Sequence, residues 1–334
     1  MSSTVPATAP ALAVRDLRIG TRRGERVVEI VRGVDLTLAP GARVALVGES
    51  GCGKSLTALA LMGLLPSGVE LLSGSIRLGE TELAGAGERT LRTVRGNRVA
   101  MIYQNPLTSL SPVHTVGRQL VDALRAHQPL SKSAARARAG ELLEEVGIVR
   151  ARERLDDHPH QFSGGMRQRV MIAMALVGDP RLLIADECTT ALDVTTQARV
   201  VETLVGLAQA RGTALLFITH DLALASATCE QVRVMYAGRV VERAPAGAFF
   251  AGPRHPYAQM LLGAVCDLDV ELGRPLTTIA GQPPAPSAIP PGCAFQERCP
   301  AVMERCRSVL PPLSGDAAAA VECHLYDDDE EVAA

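Results

Sequence analysis

Short apolar runs that each end in a polar residue recur along this chain, and they predict the strands of a buried sheet. The first run, residues 43–47, leads into a glycine-rich stretch and then into residues 56–65, which are rich in helix formers. The later runs are residues 99–103 before Gln104, 181–185 before Asp186 and Glu187, and 213–219 before His220. Because ligands of open α/β sheets bind at the carboxyl ends of the strands, we expect these polar residues to converge.

Alternating apolar positions near the start of the chain predict a second, smaller sheet. Residues 12–19, 27–31 and 34–38 read as strands, with a turn at residues 22–25 and a further strand at 72–78. We expect these strands to form an antiparallel sheet that leads into the glycine-rich stretch. The first ten residues lack such a pattern, and we expect them to be disordered.

A helical periodicity replaces this pattern in the middle of the chain. Residues 115–127 and 131–146 read as helices, with Ser131 as the cap of the second. Ser163, Gly164 and Gly165 open another helix, over residues 166–177. Residues 105–178 thus predict a helical subdomain. Beyond it, residues 194–210 predict a helix, and residues 232–236 and 239–242 a hairpin.

Composition restricts the class of protein. The chain has 334 residues, 47% of them hydrophobic, and a net charge of −2, which gives no electrostatic reason to expect nucleic-acid binding. No apolar run reaches the roughly 18 residues that span a bilayer, and the first residues do not resemble a signal peptide. We therefore expect a cytosolic protein, in which the eight cysteines serve as metal ligands or free thiols rather than disulfides.

The glycine-rich stretch has the G-x-x-x-x-G-K-[ST] pattern of a phosphate-binding loop. Its residues are Gly48, Glu49, Ser50, Gly51, Cys52, Gly53, Lys54 and Ser55. The glycines allow backbone N–H groups to converge on an anion, and the following helix directs its N-terminus to the same place. Lys54 can reach the outer phosphates, and the Ser55 hydroxyl can ligate Mg²⁺.

The polar residues at the other strand ends supply what nucleotide hydrolysis needs. Asp186 can hold Mg²⁺ through water, Glu187 can take a proton from the attacking water, and His220 can hold the γ-phosphate and that water. Gln104 can sense Mg²⁺ or water. Each residue alone has a simple structural explanation, but their joint occurrence after apolar runs indicates a nucleotide hydrolase.

These motifs together resemble those of the ATPase subunits of ABC transporters. Gly48–Ser55 resembles Walker A, Gln104 the Q-loop, Asp186 with Glu187 the Walker B motif and catalytic glutamate, Asp193 the D-loop, His220 the switch histidine, and Ser163-Gly164-Gly165 the signature. The resemblance implies an α/β P-loop NTPase core with an antiparallel β subdomain, an α-helical subdomain and a Cys/Pro-rich C-terminal extension. It covers about residues 10–330.

Longer strings resemble the oligopeptide/dipeptide importer group. They are residues 158–170, 105–112 and His255-Pro256-Tyr257. The resemblance implies an ATP-hydrolysing subunit at the cytoplasmic face of the membrane, with two permease subunits and an extracytoplasmic solute-binding protein. In the family, the signature binds the nucleotide of a second ATPase subunit, so the resemblance implies a dimer of ATPase chains. We expect a heterodimer, with a homodimer as the alternative. The other functions are a soluble ABC protein of DNA repair or translation, and import of a solute such as nickel.

Two departures from the family pattern affect the nucleotide site. No aromatic residue precedes Tyr103, whereas the family stacks an aromatic ring on adenine; Arg22 or Arg23 is our candidate replacement. Cys188 stands where the family has proline after the catalytic glutamate, which loosens a restrained turn.

The C-terminal part combines prolines with clustered cysteines. In the importer group, cysteines at the positions of Cys293, Cys299, Cys306 and Cys323 can hold a [4Fe–4S] cluster; zinc and unliganded thiols are the alternatives. Because this segment lies far along the chain from the phosphate loop, we expect a structural role for it. Cys52, Cys188, Cys229 and Cys266 are expected to be structural. The predicted division is 1–10, 11–250 (ATPase), 251–326 (extension) and 327–334 (acidic tail).

Overall fold

The protein is built on a mixed sheet that carries its parallel strands at one end. The computed structural model describes residues 9–24, 26–103, 109–189, 192–264 and 279–327. The strands are β1 (Leu12–Arg23), β2 (Arg26–Leu38), β3 (Arg43–Val47), β4 (Glu70–Leu78), β5 (Thr81–Glu82), β6 (Val99–Ile102), β7 (Leu182–Asp186), β8 (Ala214–Ile218), β9 (Gln231–Tyr236), β10 (Arg239–Pro245), β11 (Leu313–Gly315) and β12 (Ala320–Glu322).

The large sheet has the order β11-β12-β10-β9-β3-β8-β7-β6 in the described part of the chain. Strands β6, β7, β8, β3 and β9 run parallel, and β9, β10, β12 and β11 pair antiparallel. The carboxyl ends of the parallel strands therefore lie along one edge, where the sequence predicted the site. The last two strands come from the C-terminal part, so that part is hydrogen-bonded to the same sheet as the phosphate loop.

Apolar side chains cover both faces of the central strands. In β3, Ala45 and Val47 join one core cluster, whereas Val44 and Leu46 join the other. This alternation follows from the two-residue period of a strand. Strands buried on both faces are continuous apolar runs in the sequence, which explains why the positions of these strands could be predicted closely.

The second sheet has four strands in the order β2-β1-β4-β5 among the described residues, all paired antiparallel. The two short strands expected at 27–31 and 34–38 are one strand, β2, and β1 extends to Arg23 through the expected turn. Gly33 lies within β2 at φ +80, a backbone conformation that favours glycine. The interruption of the apolar alternation at this residue therefore does not end the strand.

The helices follow the predicted positions closely between residues 115 and 210. They are α1 (Lys54–Leu61), α2 (Glu88–Val94), α3 (Val116–His127), α4 (Lys132–Glu145), α5 (Gly164–Ala175), α6 (Val194–Ala210), α7 (Leu222–Thr228), α8 (Ala246–Ala251), α9 (Pro256–Gly263) and α10 (Arg305–Ser308). Ser131 caps α4 as expected, because its side chain accepts from the Ala134 N–H. The sequence did not predict α2. Within the described ranges, no helix has the length and apolar character to cross a membrane.

Candidate active site

The phosphate loop joins β3 to α1 and rests against β9. Gly48 has φ +150, and a Cβ there would lie 2.2 Å from the Met235 carbonyl oxygen. Gly53 has φ +107, and a Cβ there would lie 2.9 Å from the Met235 Cε. Only glycine allows the loop to approach the neighbouring strand this closely.

Lys54 is the buried cation of this loop. Its side chain is 5% exposed, and its Nζ donates to the carbonyl oxygens of Gly48 at 2.8 Å and Glu49 at 3.0 Å. A cavity of about 330 Å³ opens beside it. The residues that line the cavity are Ile30, Ser50, Gly51, Gly53, Lys54, Ser55, Leu56 and Glu187. A fixed ammonium group and a helix N-terminus at one cavity favour a polyanionic ligand.

Ser55 and Asp186 place two oxygen ligands together at the start of α1 and the end of β7. The Ser55 hydroxyl donates to Oδ1 of Asp186 at 3.1 Å. Burial raises the pKa of Asp186, and the neighbouring Glu187 charge raises it further, against the hydrogen bond from Ser55 and the charge of Lys54. A hydroxyl and a desolvated carboxylate are hard oxygen donors of the kind Mg²⁺ prefers, so these two residues fit the ion.

Glu187 and His220 lie next to each other at the ends of β7 and β8. Oε1 of Glu187 lies 3.5 Å from Nδ1 of His220, and the Glu187 backbone N–H donates to the Ile218 carbonyl at 2.9 Å. Glu187 has φ +45, a conformation that costs free energy in a non-glycine residue and clusters at functional sites. The carboxylate lines the phosphate cavity while His220 is exposed.

Cys188 lies beneath this turn. Its side chain is buried in the core, and burial raises the pKa of its thiol to about 12, so it is neutral at ordinary pH. Glu187, the residue before it, has a left-handed backbone conformation. The hydrogen bond from the Glu187 N–H to the Ile218 carbonyl holds this conformation, in place of a proline ring at position 188. The thiol therefore contributes packing at this position.

The glycine pair of the signature begins α5, away from the phosphate cavity. The Ser163 side chain accepts from the Met166 N–H at 3.4 Å, and Ser163 and Gly164 are exposed. A Cβ at Gly165 would lie 2.5 Å from Cγ2 of Thr196, so glycine is needed for α5 to pack against α6. Asp193 caps α6 by accepting from the Thr196 N–H at 2.9 Å. The signature thus presents a helix N-terminus to the surface.

Gln104 lies outside the described residues, as do Thr190 and Ala191 beside the D-loop. Tyr103, the last described residue before that gap, is 39% exposed. The proposed roles of Gln104 stay predictions.

A second cavity, of about 420 Å³, adjoins the phosphate cavity on the side of β2. It is lined by Thr21, Arg26, Val28, Ile30, Pro286 and Ser287. Ile30 lines both cavities, so the two are neighbours. The guanidinium of Arg22, a candidate for stacking on the base, instead pairs with Glu70 at 2.8 Å.

The four C-terminal cysteines lie near one another, but the structure does not support a metal centre. The Cys293 N–H donates to the Cys306 carbonyl at 2.8 Å, and burial raises the pKa of the Cys293 thiol to about 12, with smaller contributions from Cys306, Cys323 and Cys299. In the part of the chain that the structure describes, no group of three or more His, Cys, Asp or Glu side chains is arranged to hold a metal ion. The residues as placed fit neither the expected [4Fe–4S] cluster nor zinc.

The C-terminal segment contacts the phosphate loop although it lies far from it along the chain. Arg298 donates to both carboxylate oxygens of Glu49, each at 2.8 Å. The Glu49 backbone N–H donates to the Tyr257 hydroxyl at 2.8 Å. Sequence reasoning missed Arg298 entirely; its only signal was its place beside Cys299.

The fold and this site define an ATPase of the ATP-binding cassette class. The family pattern described as "ABC transporter" matches residues 31–190, and that of the "Oligopeptide/dipeptide transporter, C-terminal region" matches residues 241–306. The chain belongs to the ATP-binding subunits of ABC transporters, in the oligopeptide/dipeptide group.

Similar proteins agree with this assignment. The oligopeptide transport ATP-binding protein AppD of Bacillus subtilis is 45% identical over 95% of this chain and 97% of its own length. The probable peptide ABC transporter ATP-binding protein y4tR of Sinorhizobium fredii is 47% identical, over 91% of each chain. Among solved structures, the dimeric ATP-binding cassette MJ0796 bound to ADP and Pi matches with a TM-score of 0.63. The match covers 70% of this chain and 98% of that chain at 24% identity, and it supports the fold alone.

Proposed function

We propose that this chain hydrolyses ATP to drive the import of di- or oligopeptides through a separate membrane permease. The observation that carries the proposal is one edge of the sheet, where Lys54, Ser55 and Glu187 line a single cavity. Asp186 contacts Ser55 there, and His220 lies beside Glu187. Peptide as the solute is supported by the relatives, whose names describe peptide and oligopeptide transport.

The residues of the site divide the work of hydrolysis among them. The phosphate loop and Lys54 bind the β- and γ-phosphates, and Ser55 and Asp186 would hold Mg²⁺, with Gln104 as the further candidate. An ion held there would supply positive charge that neutralises the phosphate oxygens. Glu187 accepts the proton of the attacking water as general base, and His220 holds the γ-phosphate and that water in line.

The base of the nucleotide lies in the second cavity. Two features support this: the cavity adjoins the phosphate cavity at Ile30, and Val28 and Pro286 give it apolar walls for a flat ring. The wall from Pro286 comes from the C-terminal segment. Because no aromatic ring precedes Tyr103, contact with the base is aliphatic, and discrimination between adenine and guanine is weak.

A complete site requires a second ATPase chain. Ser163, Gly164 and Gly165 do not line the phosphate cavity of their own chain, and Ser163 and Gly164 are exposed at a helix N-terminus that can take an anion. ATP binding would close two chains around two nucleotides, with Asp193 near the contact, and hydrolysis would reopen them. We propose a heterodimer, with a homodimer as the alternative.

The proposed division of the chain remains that of the sequence, with the helical part at 105–178 passing the motion to two permease subunits. The chain thereby works at the cytoplasmic face of the membrane, with a solute-binding protein on the other side. A DNA-repair or translation ATPase and a nickel importer are not favoured, because the relatives match across the C-terminal region as well.

The test is transport by the assembled complex in proteoliposomes. We expect ATP-dependent uptake of labelled di- to pentapeptides that requires the binding protein, and no uptake when Lys54→Ala replaces the wild-type chain. Uptake of Ni²⁺ but not peptide, or ATPase activity that is indifferent to permease and peptide, would contradict the proposal.

A further inference from the structure

Arg298 connects the C-terminal segment to the phosphate loop by the geometry expected of a strong ion pair. Its two terminal nitrogens each lie 2.8 Å from a different oxygen of Glu49. The Arg298 side chain is 5% exposed and that of Glu49 is 24% exposed. Paired, bidentate contacts of this kind are both directional and strong when they are shielded from water.

The guanidinium is held from its other side as well. Arg298 Nε donates to the Ala280 carbonyl at 2.9 Å, and Nη1 donates to the Tyr236 hydroxyl at 3.2 Å. The hydrogen bonds to Glu49 raise the pKa of Arg298, so the group is a permanent cation. Because its position is fixed by these contacts, it can fix the position of Glu49.

An aromatic cluster docks the C-terminal segment beneath this ion pair. Tyr236, at the end of β9, lies 4.6 Å from Tyr257 and 5.2 Å from Phe295 between ring centroids. All three side chains are almost completely buried. Aromatic residues make up only 3% of the chain, so the gathering of three of them here marks a specific packing site.

The same cluster contacts the phosphate loop directly. The Tyr257 hydroxyl, at the top of the cluster, accepts the Glu49 backbone N–H at 2.8 Å. Glu49 is thus held by its main chain through Tyr257 and by its side chain through Arg298. The residue before it, Gly48, and Glu49 itself supply the two carbonyls that receive Lys54 Nζ.

We propose that Arg298 and Tyr257 are positioning residues for the phosphate loop, so that ATP binds tightly only when the C-terminal segment is docked. The inference rests on the proposed ATPase function. Neither residue lines the phosphate cavity; both act through Glu49, which sets the carbonyls that orient Lys54. Loss of either residue weakens ATP binding and leaves the chemistry of Glu187 and His220 intact.

The experiment measures KM for ATP and kcat in the assembled complex, with equilibrium binding of a fluorescent ATP analogue to the purified chain. Arg298→Met is expected to raise KM about 3- to 30-fold, the range for a network residue that does not touch the ligand. Arg298→Lys keeps the charge but not the paired geometry, so its KM is expected to lie between those of wild type and Arg298→Met. Tyr257→Phe removes one oxygen and keeps the ring, so it is expected to raise KM severalfold. In all three, kcat at saturating ATP stays within about twofold of wild type.

The matched control is Glu322→Gln. Glu322 in β12 receives a bidentate ion pair from Arg239, with the closest contacts at 2.7 Å, and so joins the C-terminal segment to the sheet without touching the phosphate loop. We expect an unchanged KM for this variant. The exchange Glu49→Arg with Arg298→Glu is expected to recover part of the affinity that each single change loses.

Three results would overturn the inference. They are a KM that does not change in Arg298→Met and Tyr257→Phe, a KM that rises equally in Glu322→Gln, and a loss of kcat without a change in KM, which would indicate only less folded protein. If the wild-type complex itself failed to bind or hydrolyse ATP, the proposed function would fail instead, so the two failures are distinguishable.

Discussion

Oε1 of Glu187 lies 3.5 Å from Nδ1 of His220, across the ends of two neighbouring parallel strands. The pairing β7·β8, with Asp186 opposite Ile218, puts the residues that follow each strand beside one another. Glu187 keeps this place in a left-handed backbone conformation that its N–H bond to Ile218 stabilises. A carboxylate held at the cavity wall against an imidazole can both accept a proton and keep its orientation.

Replacing Glu187 by Gln tests the role of this carboxylate. The amide keeps the shape but cannot accept the proton, so we expect turnover to fall about 10²- to 10⁴-fold, the usual contribution of a general base. ATP affinity should be retained. Single-turnover hydrolysis in the assembled complex provides the measurement, and a rate near that of wild type would place the base elsewhere.

Replacing Asp186 by Asn separates stability from function. Burial is the largest cause of the raised pKa of this carboxyl, so its charged form is unfavourable in the folded protein and the cost grows as pH rises through the folded pKa. Asp186→Asn should therefore raise the free energy of unfolding, by about 1 kcal/mol, in buffer without Mg²⁺ or nucleotide. The gain should be larger at pH 8 than at a pH below the ordinary carboxyl pKa of 3.8, where the group is protonated in both the folded and the unfolded state. The added stability that Mg-ATP gives wild type should be lost.

Asp193→Asn is the control for this effect. Asp193 is exposed, and its hydrogen bonds to the Thr196 backbone and side chain lower its pKa, so its charge favours the folded state. The variant should be no more stable than wild type at either pH. Equal stabilisation of both variants in thermal unfolding would show that burial of the Asp186 charge is not the cause.

The apolar runs explain which parts of this arrangement were predictable. Strands buried on both faces, such as β7 and β8, are continuous apolar runs in the sequence, and a polar residue stands at or just after the end of each one. The phosphate loop, Asp186, Glu187 and His220 could therefore be predicted to lie together. A helix such as α2, short and mostly exposed, left no comparable pattern.

The contacts between the C-terminal segment and the phosphate loop could not be predicted in the same way. Arg298 and Glu49 are 249 residues apart, and nothing in either local sequence indicates the other. Their contact accompanies the packing of Phe295 and Tyr257 against Tyr236, which joins distant parts of the chain. The resemblance of the clustered cysteines to those of the importer group, by contrast, implied a metal centre that the described residues do not support.

Val28→Ala tests the placement of the base. Val28 lines the second cavity, so its truncation should weaken the binding of ATP and GTP alike, by about 4-fold if one of the two lost methyl groups is buried against the base and about 15-fold if both are. Binding of tripolyphosphate, which has no base, should not change. Competition binding with all three ligands measures this, and wild type should discriminate ATP from GTP by less than tenfold.

Val27→Ala is the matched control for the base site, because Val27 is the preceding residue of the same strand, is 41% exposed and does not line the cavity. It should bind all three ligands as wild type does. A strong preference of wild type for ATP, or an effect of Val28→Ala on tripolyphosphate, would contradict the placement.

Ser163→Asp tests whether the signature serves a second chain. Asp is a good N-cap, so α5 should keep its start and the isolated chain should bind ATP as wild type does. In the assembled complex the added negative charge would face the partner's γ-phosphate, and ATPase activity should fall at least tenfold. Ser131→Asp, at the exposed N-cap of α4, makes the same chemical change away from the signature and should leave activity unchanged. Full activity of Ser163→Asp in the assembled complex would contradict the composite site.

The composition of the ATPase pair is tested by native mass measurement of the complex. Because we propose a heterodimer, the mass should show one copy of this chain with one different ATPase chain. Two copies of this chain and no second ATPase would contradict the heterodimer.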